Sequence, residues 1–416
     1  MTALDSKVTI LHDMLQMNPV SQAVDKPQAP AGNVQLLALL HAGFVLTGVI
    51  CTILGPLLPV LSERWALDDA HAGYLFSAQF GGSMLGVMGS SFLMSRRGHR
   101  ISLLLGLGLM ALGAATLLGM SGMLGMISTL CWGLGFGFVI PTTNLLVSDL
   151  NPEKRAAALN LVNFSWGVGA ATCPFFVAAL LRMHSTSSLL YGVAALLILV
   201  AAGMSRVSLL VPRPAPDKVS PAESGMWWSR WIPILGALFF LYVGCEAGVA
   251  GWTATYAHRM AAGAGTAWAF MPSFFWAALL LGRATAPVLL RNIRELKLAE
   301  FGLALSALGV VALLGARNLS LVAIGASFAG LGLASVFPIA IATLSRKFGA
   351  MAPRIAGLMF ALAGAGGATL PWLVGYISTR LGSLKFGLLV PLVGCIVMLL
   401  LNVLLSKPNR ERVRDA

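Results

Sequence analysis

Twelve long apolar segments dominate this sequence and limit the folds that it can adopt. A stretch of about 20 apolar residues crosses the hydrocarbon layer of a membrane as an α-helix. Charged residues make up 10% of the chain, whereas a soluble domain carries about 25%. The segments are long and continuous, unlike the short alternating strands of a membrane barrel, so the sequence predicts an all-α membrane protein. The segments are 35–60, 72–94, 101–119, 122–147, 155–182, 187–210, 231–257, 266–290, 298–315, 319–344, 355–380 and 386–405.

The basic residues are distributed unevenly between the two sides of the predicted membrane protein. With the amino terminus inside, 21 of the 28 Lys and Arg residues fall in cytoplasmic segments and six in external loops. This excess is typical of cytoplasmic loops. We therefore predict a multi-pass protein of the cell membrane, the inner membrane in a bacterium, with both termini cytoplasmic. The net charge of +13 then reflects orientation, and the expected partners are the bilayer and a small-molecule substrate, not nucleic acid. We expect a monomer.

A Pro-rich polar loop divides the chain into two halves of six segments each. Glycines and prolines recur between the halves at a shift of 196 or 197 residues, so that Gly48 matches Gly244 and Pro141 matches Pro338. Two parallel repeats predict two pseudo-symmetric six-helix bundles with a substrate site between them, near the midplane. The predicted parts are a flexible cytoplasmic tail at 1–34, a bundle at 35–210, a cytoplasmic loop at 211–230, a bundle at 231–405 and a cytoplasmic tail at 406–416.

Glu246 is an acidic residue mid-way along the apolar segment 231–257. An ionisable side chain in the membrane is costly when it faces lipid and is functional by default. A carboxyl group that moves between dry and wet surroundings can take up a proton on one side and release it on the other. We interpret Glu246 as the proton-coupling residue. The alternatives are Na⁺ coordination and a structural pairing between helices.

Arg283 is the basic residue that lies well inside a predicted helix, in the segment 266–290. In a helix that descends from the external side, its α-carbon lies about 10 Å nearer the cytoplasm than that of Glu246, at a rise of about 1.5 Å per residue. We therefore expect Arg283 to extend to the cytoplasmic interface or to hold a gate there. No direct pair with Glu246 is expected.

Neutral polar and aromatic side chains at midplane depth are candidate substrate ligands. Amides both donate and accept hydrogen bonds, which suits a substrate with many hydroxyl groups, and aromatic rings stack on flat sugar faces. The alternatives are interhelical hydrogen bonding for the amides and an interfacial position for the aromatic residues. The candidates are Gln79, Asn144, Asn160, Asn163, Trp166, Trp252, Thr253, Tyr256, Trp276 and Trp372.

Other chemistry is not indicated by the sequence. The five cysteines all fall within apolar segments, with no spacing that predicts a disulfide or a metal site. A phosphate-binding P-loop is missing, which argues against an ATP-driven pump, and the longest loop, of about twenty residues, is too short for a catalytic domain. We therefore expect neither an enzyme nor a bound cofactor, with H⁺ as the coupling ion and Na⁺ as the alternative.

The loop after the second segment reads SFLMSRRGHR. This loop resembles the G-x-x-x-D-R-x-G-R-R signature of the major facilitator superfamily, and Arg96, Gly98 and Arg100 fit it. The resemblance implies a cytoplasmic gate at these three residues. The sequence departs from the signature at Ser91, Ser95 and His99.

Two further segments narrow the resemblance. The run YVGCE, from Tyr242 to Glu246, is followed by Gly251-Trp252 and Tyr256, and it is similar to the Y-V-G-x-E…G-W…Y pattern of sugar-permease-like members, the fucose–proton symporter group and its relatives. The segment 364–375 is similar to the eleventh helix of that group. The resemblance implies a twelve-helix secondary transporter that works by alternating access and carries a small neutral polar substrate, such as a monosaccharide, with H⁺.

Three other functions remain as alternatives. The first is a proton-coupled exporter of drugs or hydrophobic metabolites. Two features of such exporters are missing here, which argues against this alternative: the segment 169–178 has no Gly-Pro pair, and the helix 131–147 has no basic residue. The second is a lipid translocator, and the third is a membrane sensor or scaffold that transports nothing.

Overall fold

The computed structural model of the protein describes residues 31–119, 121–207, 229–260 and 265–406. These residues form fifteen α-helices and no strand. The predicted tail 1–34 lies outside the described residues except for its last four, which begin the first helix, and the predicted loop 211–230 and tail 406–416 lie almost wholly outside them. The helices are α1 (Ala31–Thr52), α2 (Leu54–Trp65), α3 (Asp69–Arg97), α4 (His99–Thr116), α5 (Gly122–Leu150), α6 (Arg155–Arg182), α7 (Thr186–Arg206), α8 (Trp231–Met260), α9 (Met271–Leu289), α10 (Glu295–Leu314), α11 (Leu319–Leu333), α12 (Val336–Phe348), α13 (Ala352–Leu381), α14 (Leu384–Gly387) and α15 (Leu389–Ser406).

The predicted all-α membrane fold is confirmed. Within the described residues, eleven helical stretches are long and apolar enough to cross a membrane. The remaining predicted segment corresponds to α3, which has 29 residues and falls below that level of hydropathy because it carries Gln79 and several glycines and serines. Gly82 of α3 contacts α5, and Gly73 contacts α13 of the other half. Gln79 and Ser90 of α3 are also buried, so these polar groups face protein rather than lipid.

Prolines divide two of the predicted spans into pairs of helices. A proline has no N–H group, and its ring clashes with the carbonyl four residues earlier. For Pro56 this carbonyl belongs to Thr52, where α1 ends, and for Pro338 it belongs to Ala334, just after the end of α11. The first span therefore consists of α1 and α2, and the tenth of α11 and α12.

The internal repeat of the sequence appears as matching contacts between helices. A Cβ atom on Gly135 of α5 would lie 2.6 Å from the carbonyl oxygen of Gly106 in α4. In the second half, a Cβ atom on Gly332 of α11 would lie 2.3 Å from the carbonyl oxygen of Gly302 in α10. These are distances that only glycine tolerates, and they allow helices to approach closely. The two halves are thus built alike, as the shift in the sequence predicts.

The two halves meet closely at the end of the molecule where α3 begins and α13 ends, which we call the closed end. The Ala70 amide donates to Thr379 Oγ1 at 2.9 Å, and the rings of Tyr74 and Trp372 stack with centroids 6.0 Å apart. At the opposite end, where α3 finishes and α6 begins, Asn160 of α6 is exposed. The halves therefore form a structure with one sealed end and a cavity beneath the seal.

Candidate functional site

A cavity of about 180 Å³ lies between the two halves. The first half contributes α1, α2, α3, α5 and α6 to its wall, and the second half contributes α8 and α9. Most of the wall is apolar or aromatic, and Thr52, Gln79 and Glu246 are its main polar side chains. The lining residues are Cys51, Thr52, Gly55, Phe76, Gln79, Phe80, Phe136, Ile140, Trp166, Val243, Glu246, Ala247, Ala250, Gly251 and Trp276.

Glu246 belongs to a cluster of three polar side chains at the edge of this cavity. Its Oε1 atom lies 3.6 Å from Nη2 of Arg283 and 3.5 Å from the hydroxyl of Tyr242, which donates to it. The same Nη2 donates to the Tyr242 hydroxyl at 3.2 Å. Tyr242 and Glu246 share a face of α8 because they are four residues apart. The Glu246 side chain is 13% exposed, so the carboxylate has a nearby counter-charge and little contact with water.

The expectation that Arg283 would not pair with Glu246 is wrong. It compared the depths of the two α-carbons and neglected the direction of the side chain. Long side chains in a helix point back toward its N-terminus, and in α9 this direction leads from Arg283 toward the cavity. Its guanidinium group therefore returns to the depth of Glu246.

Gln79 lines the cavity as predicted, but its amide group is already engaged. Its Nε2 atom donates to the carbonyl of Cys51 at 2.9 Å, and its Oε1 atom accepts from the indole N–H of Trp132 at 3.2 Å. The side chain is 2% exposed. Gln79 thus joins α1, α3 and α5, which corresponds to the interhelical alternative considered from the sequence.

Trp166 and Trp276 form an aromatic pair across the two halves at the cavity wall. Their ring centroids are 5.6 Å apart in an edge-to-face arrangement. The indole N–H of Trp166 is buried and makes no well-formed hydrogen bond with the described residues. Phe76, Phe80 and Phe136 add further rings to the wall. The cavity therefore offers flat apolar surfaces beside a few polar groups.

Trp252, Thr253 and Tyr256 are not among the residues that line this cavity, and their role as substrate ligands stays a prediction. Trp252 is fully buried and donates its indole N–H to the carbonyl of Pro371 at 2.8 Å. The Thr253 hydroxyl donates to the carbonyl of Val249 at 2.6 Å. These residues lie beyond the cavity because it ends at Gly251, which contacts Gly55 of the first half. A Cβ atom on Gly55 would lie 3.2 Å from the Gly251 Cα.

Trp372 and the three asparagines also lie outside the cavity lining. Trp372 stacks against Tyr74 at the closed end. Asn163 donates to Asn144 Oδ1 at 3.1 Å, and both Asn160 and Asn163 are exposed. The asparagines of α6 precede Trp166 by one to two helical turns, so they lie beyond the cavity toward the opposite end. A predicted position near the midplane does not by itself separate residues of the cavity from residues of its mouth, and a substrate contact at these residues stays a prediction.

The predicted gate loop contacts its own half of the molecule. The guanidinium carbon of Arg96 lies 4.4 Å from the centroid of the Phe92 ring, and Arg100 donates to the carbonyl of Met204 at 3.3 Å. Gly98 has a φ of 83°, a conformation that glycine adopts without strain. The first contact lies within α3, and the second joins α4 to the end of α7. A gating role for these three residues and for Arg283 stays a prediction.

Some residues of the site were not assigned from the sequence. Tyr242 was quoted in a motif without a role, although its spacing of four residues from Glu246 indicated a shared helix face. Phe76 and Phe80 could be recognised only once α3 was known to border the second half. Within the described ranges, no cluster of three or more His, Cys, Asp or Glu side chains could hold a metal ion.

Comparison with known proteins identifies the family of the chain. The profile of the Major Facilitator Superfamily matches residues 40–371. The chain belongs to this superfamily. Its members are membrane transporters rather than enzymes, in agreement with the resemblance of the gate loop and of the Glu246 segment.

Solved structures of the superfamily share the fold at low sequence identity. The nucleoside transporter NupG has a TM-score of 0.76 at 13% identity, covering 90% of this chain and 100% of that one. A bacterial homolog of the lysosomal transporter Spinster, in an inward-facing conformation, has a TM-score of 0.72 at 15% identity, covering 91% and 97%. The E. coli fucose:proton symporter FucP has a TM-score of 0.61 at 19% identity, covering 91% and 100%.

Two bacterial relatives match by sequence. An uncharacterized MFS-type transporter of Yersinia pestis is 22% identical over 366 residues, covering 87% of this chain and 92% of that protein. The 4-hydroxybenzoate transporter PcaK of Pseudomonas aeruginosa is 30% identical over 149 residues, which cover 35% of this chain and 33% of the relative. The second match thus spans about a third of that relative.

Proposed function

We propose that this protein is a secondary transporter that moves a small neutral polar substrate, with a monosaccharide as the first candidate, together with H⁺ by alternating access. The observation that carries the proposal is the position of Glu246 in a cavity between two pseudo-symmetric halves. Na⁺ in place of H⁺ is the alternative coupling ion.

The pairing of Glu246 with Arg283 supports a coupling role. When Glu246 is ionised, Arg283 at 3.6 Å balances its charge. When Glu246 is protonated, Arg283 keeps a hydrogen bond to the Tyr242 hydroxyl at 3.2 Å. Arg283 thus has a polar partner in both protonation states of Glu246. Such an arrangement suits a carboxyl group that gains and loses a proton in each transport cycle. Moving one charge across the membrane couples to about 2.3 kcal/mol per 100 mV.

The cavity wall supports a substrate that has both an apolar ring face and polar groups. Its volume of about 180 Å³ suits a molecule of the size of one sugar ring. Trp166 and Trp276 offer flat surfaces, and Glu246 and the Thr52 hydroxyl offer polar groups. Specific sites commonly combine apolar walls with a few placed polar groups. The shared fold with a fucose:proton symporter agrees with this proposal.

The sealed end supports an inward-facing conformation. The positive-inside distribution of the sequence predicts that the closed end faces outward, and with this orientation the cavity opens toward the cytoplasm.

A second candidate substrate is a small aromatic carboxylate. Arg283 is a cation next to the cavity, and it would be free to bind a carboxylate once Glu246 is protonated. The 4-hydroxybenzoate transporter PcaK, 30% identical over 149 residues, makes this class a reasonable second choice.

Uptake into proteoliposomes tests the proposed function. Radiolabelled monosaccharides and 4-hydroxybenzoate are offered with and without an inward proton gradient, and separately with a Na⁺ gradient. The wild type should concentrate one monosaccharide on the order of tenfold or more with the proton gradient. Glu246→Gln should still exchange this sugar but not concentrate it, and Glu153→Gln, which alters an exposed acid, should behave as wild type.

Other outcomes of the uptake assay decide between the alternatives. Accumulation of 4-hydroxybenzoate and of no sugar would favour the second candidate substrate. Accumulation of a substrate only with the Na⁺ gradient would show that Na⁺, not H⁺, is the coupling ion. Movement of lipophilic compounds or lipids, with no flux of sugar or carboxylate, would contradict the proposal in favour of an exporter or a lipid translocator.

A further inference from the structure

Asp69 is a buried carboxylate that joins the two halves at the closed end. It lies in the first turn of α3 and is 8% exposed. Nη1 of Arg259, at the end of α8, donates to its Oδ2 atom at 2.9 Å, and Nη2 of Arg259 donates to its Oδ1 atom. The hydroxyl of Ser378, near the end of α13, also donates to Oδ2. Three hydrogen bonds from the second half thus converge on one acid of the first half.

The backbone around Asp69 is fitted to this contact. A Cβ atom on Gly375 would lie 2.1 Å from the carbonyl oxygen of Asp69, so α13 can approach the start of α3 only because it carries a glycine there. One residue later, the Ala70 amide donates to Thr379 Oγ1 at 2.9 Å. The ion pair is therefore part of a tightly packed crossing of α3 and α13, not an isolated surface contact.

The burial of Asp69 distinguishes this pair from a second one at the same end. His258 Nε2 and Glu63 Oε1 also join the halves, at 3.8 Å, but the Glu63 side chain is 72% exposed, whereas that of Asp69 is 10% exposed. Exposed pairs contribute little to stability. A buried carboxylate is costly without its partners, and its bidentate bonds with arginine have a fixed geometry.

We propose that Asp69, Arg259 and Ser378 form the outer gate, a latch that holds the closed end shut and sets how much of the protein opens there. The proposal rests on the alternating access of the proposed function. For this end to open, α3 has to separate from α8 and α13, so all three hydrogen bonds to Asp69 break and its carboxylate is hydrated. Each bond that the latch loses therefore favours the opened state.

Distance measurements between spin labels at the closed end test the latch without substrate or gradient. The labels are placed at Arg64→Cys in α2 and Lys385→Cys in α14, two exposed positions in opposite halves, in a background in which the five native cysteines are replaced. The wild type should show mainly the short distance. Asp69→Asn or Arg259→Gln should raise the ratio of long to short distances roughly ten- to a hundredfold, because hydrogen bonds to charged groups are lost.

Three comparisons show whether these residues act through each other. The double variant Asp69→Asn/Arg259→Gln should shift the ratio no further than either single variant, because both remove the same pair. Ser378→Ala should shift the ratio in the same direction by a smaller factor. Glu63→Gln, which removes the exposed pair, should leave the distances unchanged.

The result that would overturn the latch is an unchanged distance distribution in Asp69→Asn and Arg259→Gln, or a shift equal to that of Glu63→Gln. If the double variant changes the ratio of long to short distances by the product of the two single changes, the pairing of Asp69 with Arg259 is not the cause of the shift. If a variant elutes as aggregate in size-exclusion chromatography, Ser378→Ala decides, since it removes only one hydroxyl group. Because no transport is measured, a failed latch is distinguishable from a failed uptake assay.

Discussion

At the scale of single residues, the chemistry of the site depends on how a carboxylate is kept inside a membrane protein. Glu246 is nearly enclosed, at 13% exposure, and its guanidinium partner is 30% exposed. The pair is longer than a tight hydrogen bond, and Tyr242 contacts both of its members. An arrangement of this kind holds the charge without fixing it firmly. This looseness agrees with the proton exchange that we propose for Glu246.

The energetic role of the pair can be tested by removing either charge or both. Arg283→Gln leaves Glu246 as a poorly hydrated carboxylate without a counter-charge, so the free energy of unfolding should fall by about 2 kcal/mol, between the values for exposed and fully buried pairs. Glu246→Gln/Arg283→Gln should recover most of this loss, because neither charge remains. Unfolding in detergent micelles measures both, with Arg291→Gln, at an exposed position, as the control. Equal losses in the single and double variants would show that the charge of Glu246 is not the cause.

The sequence predicts residues of this site to the extent that their role depends on position along one helix. Glu246 was recognised because a single acid in an apolar run is visible in the sequence itself. Its pairing with Arg283 was missed because it depends on the direction of a side chain in a different helix. The position of Trp252 and Thr253 beyond the cavity could not be predicted, because the end of the cavity is set by the contact of Gly55 with Gly251, which joins residues almost two hundred positions apart.

At the scale of helices, the fold depends on close crossings that the repeated glycines allow. A Cβ atom on Gly366 of α13 would lie 1.8 Å from the carbonyl oxygen of Phe240 in α8, and one on Gly169 of α6 would lie 2.0 Å from that of Val45 in α1. These are equivalent crossings in the two halves. The sequence predicted this equivalence because a shift of 196 or 197 residues is visible without a structure. It did not show which glycine faces a backbone, since that depends on the rotation of each helix.

Two alanine substitutions in α13 separate packing from helix propensity. Gly366→Ala has to push α8 and α13 apart, so the free energy of unfolding should fall by about 3 kcal/mol, as for other overpacked sites. Gly357→Ala adds a methyl group at an exposed position with no atom within 4 Å and should raise the free energy by up to about 1 kcal/mol through helix propensity. Thermal unfolding in the same detergent compares the two. A similar change in both variants would contradict the packing argument.

At the scale of the whole molecule, the two ends differ in a way that assigns each a place in a transport cycle. The closed end carries the latch at Asp69 and the stacked rings of Tyr74 and Trp372. The opposite end carries the gate loop at Gly98 and the exposed Asn163. The twelve predicted segments and the distribution of basic residues gave the number of spans and an expected orientation. Which end is sealed follows from contacts between the halves, and no pattern along one segment contains that information.

Thiol labelling in oriented vesicles tests the orientation and the open end together. Asn163 is exposed and precedes Gly167 by one turn of α6. A Cβ atom on Gly167 would lie 2.5 Å from Leu280, so Gly167 contacts the second half. Asn163, one turn farther from the closed end, should therefore lie at the mouth of the cavity. In a background without native cysteines, Asn163→Cys should react with a membrane-impermeant maleimide in inside-out vesicles, and Lys385→Cys in right-side-out vesicles. The reverse labelling pattern would show that the protein has the orientation opposite to the predicted one.

The same labelling connects the mouth of the cavity to the latch at the other end. If the two halves rock as rigid units, opening of the closed end has to close the opposite end, so Asp69→Asn should lower the rate at which Asn163→Cys is labelled. The expected decrease is several-fold, and Glu63→Gln, which breaks the exposed pair with His258, should leave the rate unchanged. A rate that stays constant in Asp69→Asn, while the closed-end distance lengthens, would mean that the two ends open independently. Alternating access would then require a cause other than rigid rocking of the halves.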